Sequence, residues 1–449
     1  MVRGRYFIFF LMAALPALAA EPRLTLQQAV ETALEKNPAR KAAVLEQRAA
    51  TSGIREARAA LLPQVSFTEG YTRSTDPVFV FGGKLRQNRF AAPDFALNAL
   101  NRPDPFGNFA TRLTTQWQAF DSGVSWKRML LAKQGSTVAQ RQVDRSDQQL
   151  IYRVVEAYSG LLLAQRQLQV SEAAVKTAQA ILDNSEAKFQ AGMVVESDRL
   201  SARVNLASRR QELIRARNAV EMARSGLNHE MGIALETAYD PAEMLAETML
   251  PQASEAELQV MALAHRPDVA ALNLRTDMQR TQAGLAKREM GPRLNVFASV
   301  EADNPHLAGG GGTNWATGVE LQFDVFNGGA KAARIARENA LAEAAASQRD
   351  SYLSAVRLEV RKAYLELDTA RQQVDVARAA VAEAKESLRI SQTRYEGGLN
   401  TITDLLRTDD AARNAETDYW QAVYRLQTNY ANLELATGTL DVNSPVVKP

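Results

Sequence analysis

Two long stretches of the sequence contain no proline. They cover 106–240 and 306–444, and proline is the residue that most strongly interrupts a helix. We therefore expect one long helix in each stretch, over 124–191 and over 330–396. At roughly 1.5 Å per residue, each helix would be about 100 Å long, which is far more than a compact domain requires.

Both predicted helices carry a heptad pattern of apolar and small residues. The pattern alternates steps of four and three from Leu150 to Phe189 in the first helix, and from Val356 to Tyr395 in the second. An average step of about 3.5 residues predicts left-handed supercoiling of packed helices. Taken alone, the pattern is equally consistent with an extended coiled-coil rod or tether.

The heptads belong to an internal duplication. The stretches KFQAGMVVESDRL at 188–200 and RYEGGLNTITDLL at 394–406 share an aromatic residue, a glycine and an aspartate, each pair 206 positions apart. Farther upstream, Pro63 and Pro292 are 229 positions apart, so the first half carries a 23-residue insertion. The insertion is rich in Pro, Gly, Asn and Asp, and we expect it to form a long surface loop. The segments that follow from the duplication are a first half at 21–235, a second half at 236–438 and a tail at 439–449.

Four segments of roughly ten residues show the two-residue alternation of β-strands. They lie near 64–73, 109–120, 293–302 and 315–326, and Phe297 interrupts the alternation of the third. Strands of this length with one apolar and one polar face fit a transmembrane barrel with lipid outside and water inside, although soluble hairpins alternate in the same way. The residues expected to face lipid are Leu113, Trp117, Trp315, Val319, Leu321 and Phe323.

Four strands in one chain cannot close a barrel. An open sheet in hydrocarbon would leave the backbone groups of its two edge strands without hydrogen-bond partners, which is costly. If the strands lie in a membrane, several chains must therefore share one barrel. The sequence then predicts a membrane pore that is extended by a tube of helices around the same axis.

The N-terminus has the layout of a secretory signal peptide. Arg3 and Arg5 precede an apolar run, and small residues follow at Ala19 and Ala20, so we expect a signal peptide at 1–20. The sequence has 53 Lys plus Arg and 51 Asp plus Glu, so removal of the two arginines balances the charges. This balance argues against a nucleic-acid partner. The absence of cysteine excludes disulfides and thiolate metal sites.

An enzyme finds little support in the sequence. His229, His265 and His306 are far apart and show no metal-ligand spacing. The GGGG stretch at 309–312 lacks the residues that complete a phosphate-binding loop. We therefore expect no enzymatic activity, no cofactor and no metal. The remaining alternative to a pore is a coiled-coil adaptor or tether outside the cytoplasm.

Three segments resemble the TolC-like outer membrane factors of Gram-negative bacteria. They are LTLQQAVETALEKNP at 24–38, LAHRPDV at 263–269, and the duplicated turn with its aromatic, glycine and aspartate positions. The resemblance implies a homotrimer with four strands per chain and twelve in the barrel, continued by a long α-helical coiled-coil barrel in the periplasm. It implies an outer-membrane exit duct of a tripartite efflux pump or a type I secretion system. The implied partners are outer-membrane lipid, a periplasmic adaptor protein, and an inner-membrane pump of the RND, ABC or MFS type.

The resemblance also implies a role for the two repeated turns, 192–198 and 397–404. In the family, such turns form the periplasmic tip of the tunnel, where adaptor hairpins dock and the entrance constricts. From the residues alone, Gly192 and Gly398 suit the left-handed conformation that ends a helix. The expected docking residues are Phe189, Gly192, Met193, Val194, Tyr395, Gly398, Leu399 and Thr401.

Four residues are expected to act at the constriction. Asp404 matches an aspartate that rings the entrance in the family, and Asp198 is its counterpart in the first half. Arg407 occupies the place of a second such aspartate, and Asn400 that of an arginine that helps to hold the entrance closed. These two departures from the family's pattern leave the design of the latch open. The alternative role in this region is helix capping, for which the candidates are Ser197, Asp198, Thr403 and Asp404.

Overall fold

The protein is described by a computed structural model that covers residues 23–247, 253–307 and 309–448. The expected signal peptide at 1–20 lies outside these residues. Among the helices in the described ranges, none combines the length and the apolar character needed to cross a membrane.

Helices make up most of the described chain. The helices are α1 (Leu26–Lys36), α2 (Pro38–Ala59), α3 (Pro77–Arg86), α4 (Leu97–Asn101), α5 (Val124–Gln190), α6 (Glu196–Met231), α7 (Glu255–His265), α8 (Pro267–Arg288), α9 (Ala330–Glu396) and α10 (Ile402–Thr437). The strands are β1 (Arg23–Leu24), β2 (Gln64–Ser74), β3 (Phe106–Phe120), β4 (Asp240–Pro241), β5 (Arg293–Asn304) and β6 (Gly312–Gln322). Helices α5 and α9 each have 67 residues, and α6 and α10 each have 36, so the long helices of the two halves repeat one another.

The chain divides into two compact units, each of which takes segments from both halves of the duplication. We call the first the helical unit; it comprises the described part of Met1–Lys41 together with Ser146–Arg266 and Val356–Pro449. We call the second the sheet unit; it comprises Ala42–Arg145 and Pro267–Ala355. The compact units therefore do not follow the boundaries of the duplication.

The sheet unit contains one antiparallel sheet in the order β2-β3-β5-β6. Directly paired residues point to the same face, and the register pairs Leu113 with Val300 and Val300 with Trp315. We call this side the apolar face; its members include Val65, Phe67, Tyr71, Leu113, Trp117, Leu294, Val296, Val300, Trp315, Val319 and Leu321. We call the opposite side the polar face; its members include Thr68, Asn108, Arg112, Gln116, Asn295, Ser299, Glu301, Asp303, Asn314, Glu320 and Gln322.

The apolar face is open in the single chain. Trp315 is 77% exposed, and Val65, Phe67, Val319 and Leu321 are exposed as well. A contiguous apolar surface of this kind is rare on soluble monomers and marks a surface that lipid or protein covers.

The interruption at Phe297 has a local cause. Phe297 lies on the polar face directly opposite Gly318, and a Cβ atom on Gly318 would come within 2.6 Å of the Phe297 ring. The ring thus covers a glycine on the neighbouring strand, which has no side chain of its own. The alternation of the strand is preserved, and one aromatic side chain fills a gap on the polar side.

The insertion in the first half is helical, so the prediction of a surface loop is wrong. Helix α3 starts at Pro77, where the fixed φ of proline suits a first helical position, and the Asp76 carboxylate accepts a hydrogen bond from the Phe79 N–H at 2.7 Å. Val80 and Gly83 of this helix are buried. Proline and aspartate, which predict a loop by composition, here begin a helix at Asp76 and Pro77.

The core of the helical unit follows the predicted heptads. The buried positions on α9 include Val356, Val360, Ala363, Leu367, Ala370 and Val374, and those on α5 include Leu150, Val154, Leu161 and Ala164. At the far ends of α6 and α10, Gly232 and Gly438 adopt φ values of 69° and 75°. A Cβ atom on either glycine would lie within 3 Å of the backbone of Asn37 or Arg266, respectively. Because Gly232 and Gly438 have no side chain, the residues that precede α2 and α8 can pack directly against the C-terminal ends of α6 and α10.

Candidate docking and gating site

Two tip turns connect α5 to α6 and α9 to α10 within the helical unit. Gly192 and Gly398 have φ values of 72° and 73°, in the left-handed region that glycine favours. The Met193 N–H donates to the Lys188 carbonyl at 2.8 Å, and the Leu399 N–H donates to the Arg394 carbonyl at 2.8 Å. These bonds close a Schellman motif at the end of each long helix.

Each tip turn exposes a large apolar side chain directly after its left-handed glycine. The residue after the left-handed glycine usually packs on an apolar residue in the last turn of the helix. Here that packing position holds Lys188 in the first turn and Arg394 in the second. Met193 is accordingly 75% exposed and Leu399 is 79% exposed. Both are free to contact a partner.

A compact apolar cluster lies beneath the turns. Tyr395 is 4% exposed, so its ring supports the turn from inside and is not part of the outer surface. Phe189, its counterpart in the first half, lies 4.8 Å from the guanidinium of Arg199. The buried members of this tip core are Ala178, Ile181, Leu182, Ala202, Leu206, Tyr395, Ile402 and Leu405.

Lys188 links the first tip to the second. Its ammonium donates to the carbonyl of Tyr395 at 2.5 Å and to that of Glu396 at 3.3 Å. The same ammonium lies 4.2 Å from the centre of the Tyr395 ring. A positive charge at the C-terminal end of α9 satisfies its last carbonyls and is favoured by the helix dipole. The end of α9 is thus held by a residue of α5.

The helices that follow the turns begin earlier than predicted. The capping residues are Val195 and Thr401, so the expectation that Ser197 or Thr403 caps a helix is wrong. The Thr401 hydroxyl accepts a hydrogen bond from the Asp404 N–H at 3.2 Å and donates to the Asp404 carboxylate at 2.7 Å. Val195 has no side-chain oxygen and makes no such cap. The second tip is capped and the first is not.

The two candidate gate carboxylates differ in their partners. One oxygen of Asp404 accepts from Thr401, and the other lies 3.6 Å from the exposed guanidinium of Arg407. Within the described residues, the Asp198 carboxylate has no hydrogen bond or ion pair. The Asn400 amide donates to the Ser391 hydroxyl at 3.1 Å, so it contributes to local packing at the base of the turn.

A charged cluster farther from the turns connects α6 and α10, and the sequence reasoning missed it. The buried guanidinium of Arg209 pairs with Asp410 and lies 3.0 Å from Glu212. Arg413 lies 3.2 Å from Asp410 and 3.6 Å from Glu212, which completes the cluster. The pKa of the neighbouring Asp409 carboxyl is raised above its usual value, mainly because the group is buried. The positive charge of Arg209 opposes this increase and reduces it in part. Charged residues are frequent on α6 and α10 and are usually solvated, so no sequence signal pointed to this cluster.

The described residues thus combine an exposed apolar sheet face with two long helices that each reverse direction at an exposed tip turn. The chain belongs to the outer membrane efflux protein family, whose model matches residues 29–232 and 258–439.

Individual relatives extend this match over nearly the whole chain. The chain is 25% identical over 427 residues to the alkaline protease secretion protein AprF of Pseudomonas aeruginosa, covering 93% of this chain and 85% of AprF. It is 21% identical over 431 residues to the proteases secretion protein PrtF of Dickeya chrysanthemi, covering 93% and 88%. Among solved structures, CusC superposes with a TM-score of 0.77 at 15% identity over 95% of both chains, which shows a shared fold.

The family assignment establishes the general role of the chain. It is an outer-membrane protein with a periplasmic extension, and it serves as an exit duct for efflux or type I secretion. The members of the family are channel proteins and not enzymes. The alternative of a tether without a pore is therefore wrong.

The unequal caps of the two tips give a matched pair of variants. Thr401→Val removes the cap and gives the second tip the residue of the first, so the start of α10 should lose about 1 kcal/mol. Val195→Thr adds an oxygen at the equivalent place and should stabilise the start of α6. We expect amide hydrogen exchange in the first turn of α10 to become about fivefold faster in Thr401→Val, and exchange in the first turn of α6 to slow in Val195→Thr. Unchanged exchange in both variants would refute the assignment of the caps.

Proposed function

We propose that the chain works as a homotrimer whose three sheets close into one transmembrane barrel. The observation that carries this proposal is the exposed apolar face of a four-stranded sheet whose edge strands, β2 and β6, each pair on one side only among the described residues. In hydrocarbon, the free edges would leave N–H and C=O groups unpaired. Pairing of β2 of one chain with β6 of the next satisfies these groups in a closed ring, and three chains give twelve strands. The polar face then lines the lumen.

The trimer can be tested with the protein in mild detergent. We expect a mass three times that of one mature chain, because a monomer would expose both sheet edges to the detergent core. Of the tryptophans, Trp315 lies on the apolar face and Trp420 on α10. In variants that retain only one of them, a quencher attached to acyl chains should quench Trp315 and leave Trp420 bright. A stable monomer that inserts into bilayers would overturn the proposal.

In this proposal, the long helices form the periplasmic tunnel, and the adaptor protein docks on the two tip turns. Met193 and Leu399 supply apolar contacts, since both are exposed at positions where the local helix gives them nothing apolar to pack on. Val194 and Thr401 flank them at the same surface, and Gly192 and Gly398 shape the turns. In this scheme Phe189 and Tyr395 act from beneath, by supporting the turns that dock.

The pump behind the adaptor belongs to the RND, ABC or MFS type, and it selects the cargo. AprF and PrtF, the two relatives described above, are named for protease secretion. We therefore favour a polypeptide as the cargo and type I secretion as the pathway, with drug or metal efflux as the alternative.

Docking can be tested by placing charge on the tip turns. The double variant Met193→Asp/Leu399→Asp should lose export while the trimer survives, because an apolar adaptor pocket cannot accept carboxylates without hydrogen-bond partners. Val260→Asp is the control, since Val260 is similarly exposed but lies on α7. Cysteines at Gln190 or Glu396 should cross-link to the periplasmic adaptor in the parent protein and not in the double variant. Export is measured both as secreted protein and as tolerance to drugs and metal ions, so the readout that fails identifies the cargo class. Export that persists in the double variant contradicts docking at the tips.

We further propose that Asp198 and Asp404 ring the entrance of the trimer. Carboxylates grouped around a narrow opening favour the passage of cations and repel one another. Arg407 offsets part of this charge at Asp404, whereas Asp198 has no such partner within the described residues. Asn400 packs against Ser391, so the charged cluster around Arg209 is the better candidate for holding α6 and α10 together when the entrance is closed.

Selectivity and stability, measured on the same preparation, separate the two roles of Asp404. Asp198→Asn and Asp404→Asn should both lower the preference for cations in planar bilayers, because each removes charge from the ring. Asp404→Asn should also weaken the start of α10 by about 0.3–1 kcal/mol, since a negative charge there is favoured by the helix dipole. If both variants keep the selectivity of the parent, the carboxylates serve the helices alone and the ring does not exist.

A further inference from the structure

We infer that the insertion in the first half forms a size-selective constriction at the extracellular exit of the duct. The inference rests on the proposed closure of the sheet into a barrel with the polar face inside. At one end, the strands continue into α2, α5, α8 and α9. The insertion lies at the opposite end, where Ser74 and Phe106 form the last pair of the first hairpin.

The polar contacts that connect α3 and its C-terminal cap to the sheet lie on the polar face. The Gln87 amide, at the end of α3, donates to the Asn108 side chain at 2.7 Å and to the Gly107 carbonyl at 3.1 Å. The Asn108 amide in turn donates to the Asp303 carboxylate at 2.5 Å. Gln87 is 1% exposed and Asp303 is 0% exposed, so the insertion shields this chain of polar groups from water.

A charged contact and two close approaches hold the helix against the same face. The Arg86 guanidinium lies 3.6 Å from Glu301, which also pairs with Arg112 at 2.8 Å. A Cβ atom on Gly83 would come within 2.5 Å of the Phe106 ring, and one on Gly312 within 2.1 Å of the Arg86 carbonyl. Glycine at these two positions therefore allows α3 to lie directly on the polar side of β3 and β6.

The remainder of the insertion is braced and does not behave as an open loop. Lys84 pairs with Asp94 at 2.7 Å, which ties α3 to the single helical turn at Ala92–Phe95. The rings of Phe81, Phe90 and Phe95 stack edge to face, with centres 4.9 and 5.1 Å apart. These contacts give the insertion a fixed position over the polar face.

The position of α3 determines its effect on the exit. An eight-stranded barrel is filled by its own side chains, while barrels of about sixteen strands hold an open channel, so a twelve-stranded barrel is intermediate. A helix with its side chains is about 10 Å wide, and three copies on the inner wall occupy much of such a lumen. Val78 and Leu85 lie on the side of α3 away from the sheet and are exposed. They line the opening that remains between the three copies of the helix. Small solutes and extended polypeptides can leave through it, and bulky molecules cannot enter.

The exit can be probed from outside the cell, independently of the periplasmic tip. The chain has no cysteine, so Ser299→Cys on the polar face, below the insertion, provides a unique label site. In the Ser299→Cys protein with its insertion intact, a small maleimide should label the cysteine. A maleimide that carries a long polyethylene glycol chain should not label it. Replacing 75–105 with a short glycine-rich turn keeps the Ser74–Phe106 pair and should restore labelling by the large reagent.

Two neighbouring glycines provide the matched controls. Gly83→Val collides with Phe106 and should lift α3, so labelling by the large reagent should appear. Gly82→Val meets nothing within 4 Å and should leave the reagent excluded. Entry of the large reagent in the parent, or its continued exclusion after the loop replacement while the small one enters, overturns the constriction. If the small reagent also fails after the loop replacement, Ser299 does not face a lumen, and the proposed barrel is wrong as well.

Discussion

The backbone groups along the outer edges of β2 and β6 are the constraint on which the rest of the molecule depends. The exposed apolar face directs the sheet towards hydrocarbon, and hydrocarbon offers no hydrogen bonds to those edges. Under the proposed function, the sheet can therefore enter the membrane only together with the sheets of the other chains that close the barrel. In the proposed barrel, the same closure makes the polar face the wall of an aqueous passage, so whatever packs on the polar face lies inside that passage.

Features that repeat over many residues could be predicted from the sequence, and features set by one side chain could not. The facing of Leu113 and Trp315 follows from strict alternation, and the two 67-residue helices follow from the absence of proline together with the heptads. The helix of the insertion was missed because proline and aspartate are typical both of loops and of helix starts. The capping role of Thr401 was missed because a helix boundary depends on a single hydrogen bond. The cluster around Arg209 was missed because nothing in the pattern distinguishes a buried charge from a solvated one.

The two tips share a sequence pattern and differ in how they are supported. Thr401 caps the helix after the second turn, and Val195 leaves the helix after the first turn without a cap. Lys188 of the first turn holds the end of α9, so the second tip is braced from both sides. The two duplicated turns therefore share a backbone shape, and the second has a side-chain cap and a contact from Lys188 that the first lacks. Two identical docking pockets on a partner would therefore contact two turns that are supported by different interactions.

The order of the sheet has a consequence for how the chain matures. The inner neighbour of β3 is β5, which belongs to the other half of the duplication. A polypeptide exported from its N-terminus delivers the first hairpin well before that neighbour, with one edge of β3 open and an apolar face uncovered. Such a hairpin is a template for wrong pairing, and non-local strand pairing forms slowly. The interval between the arrival of the two halves is therefore when the nascent chain is most prone to aggregate.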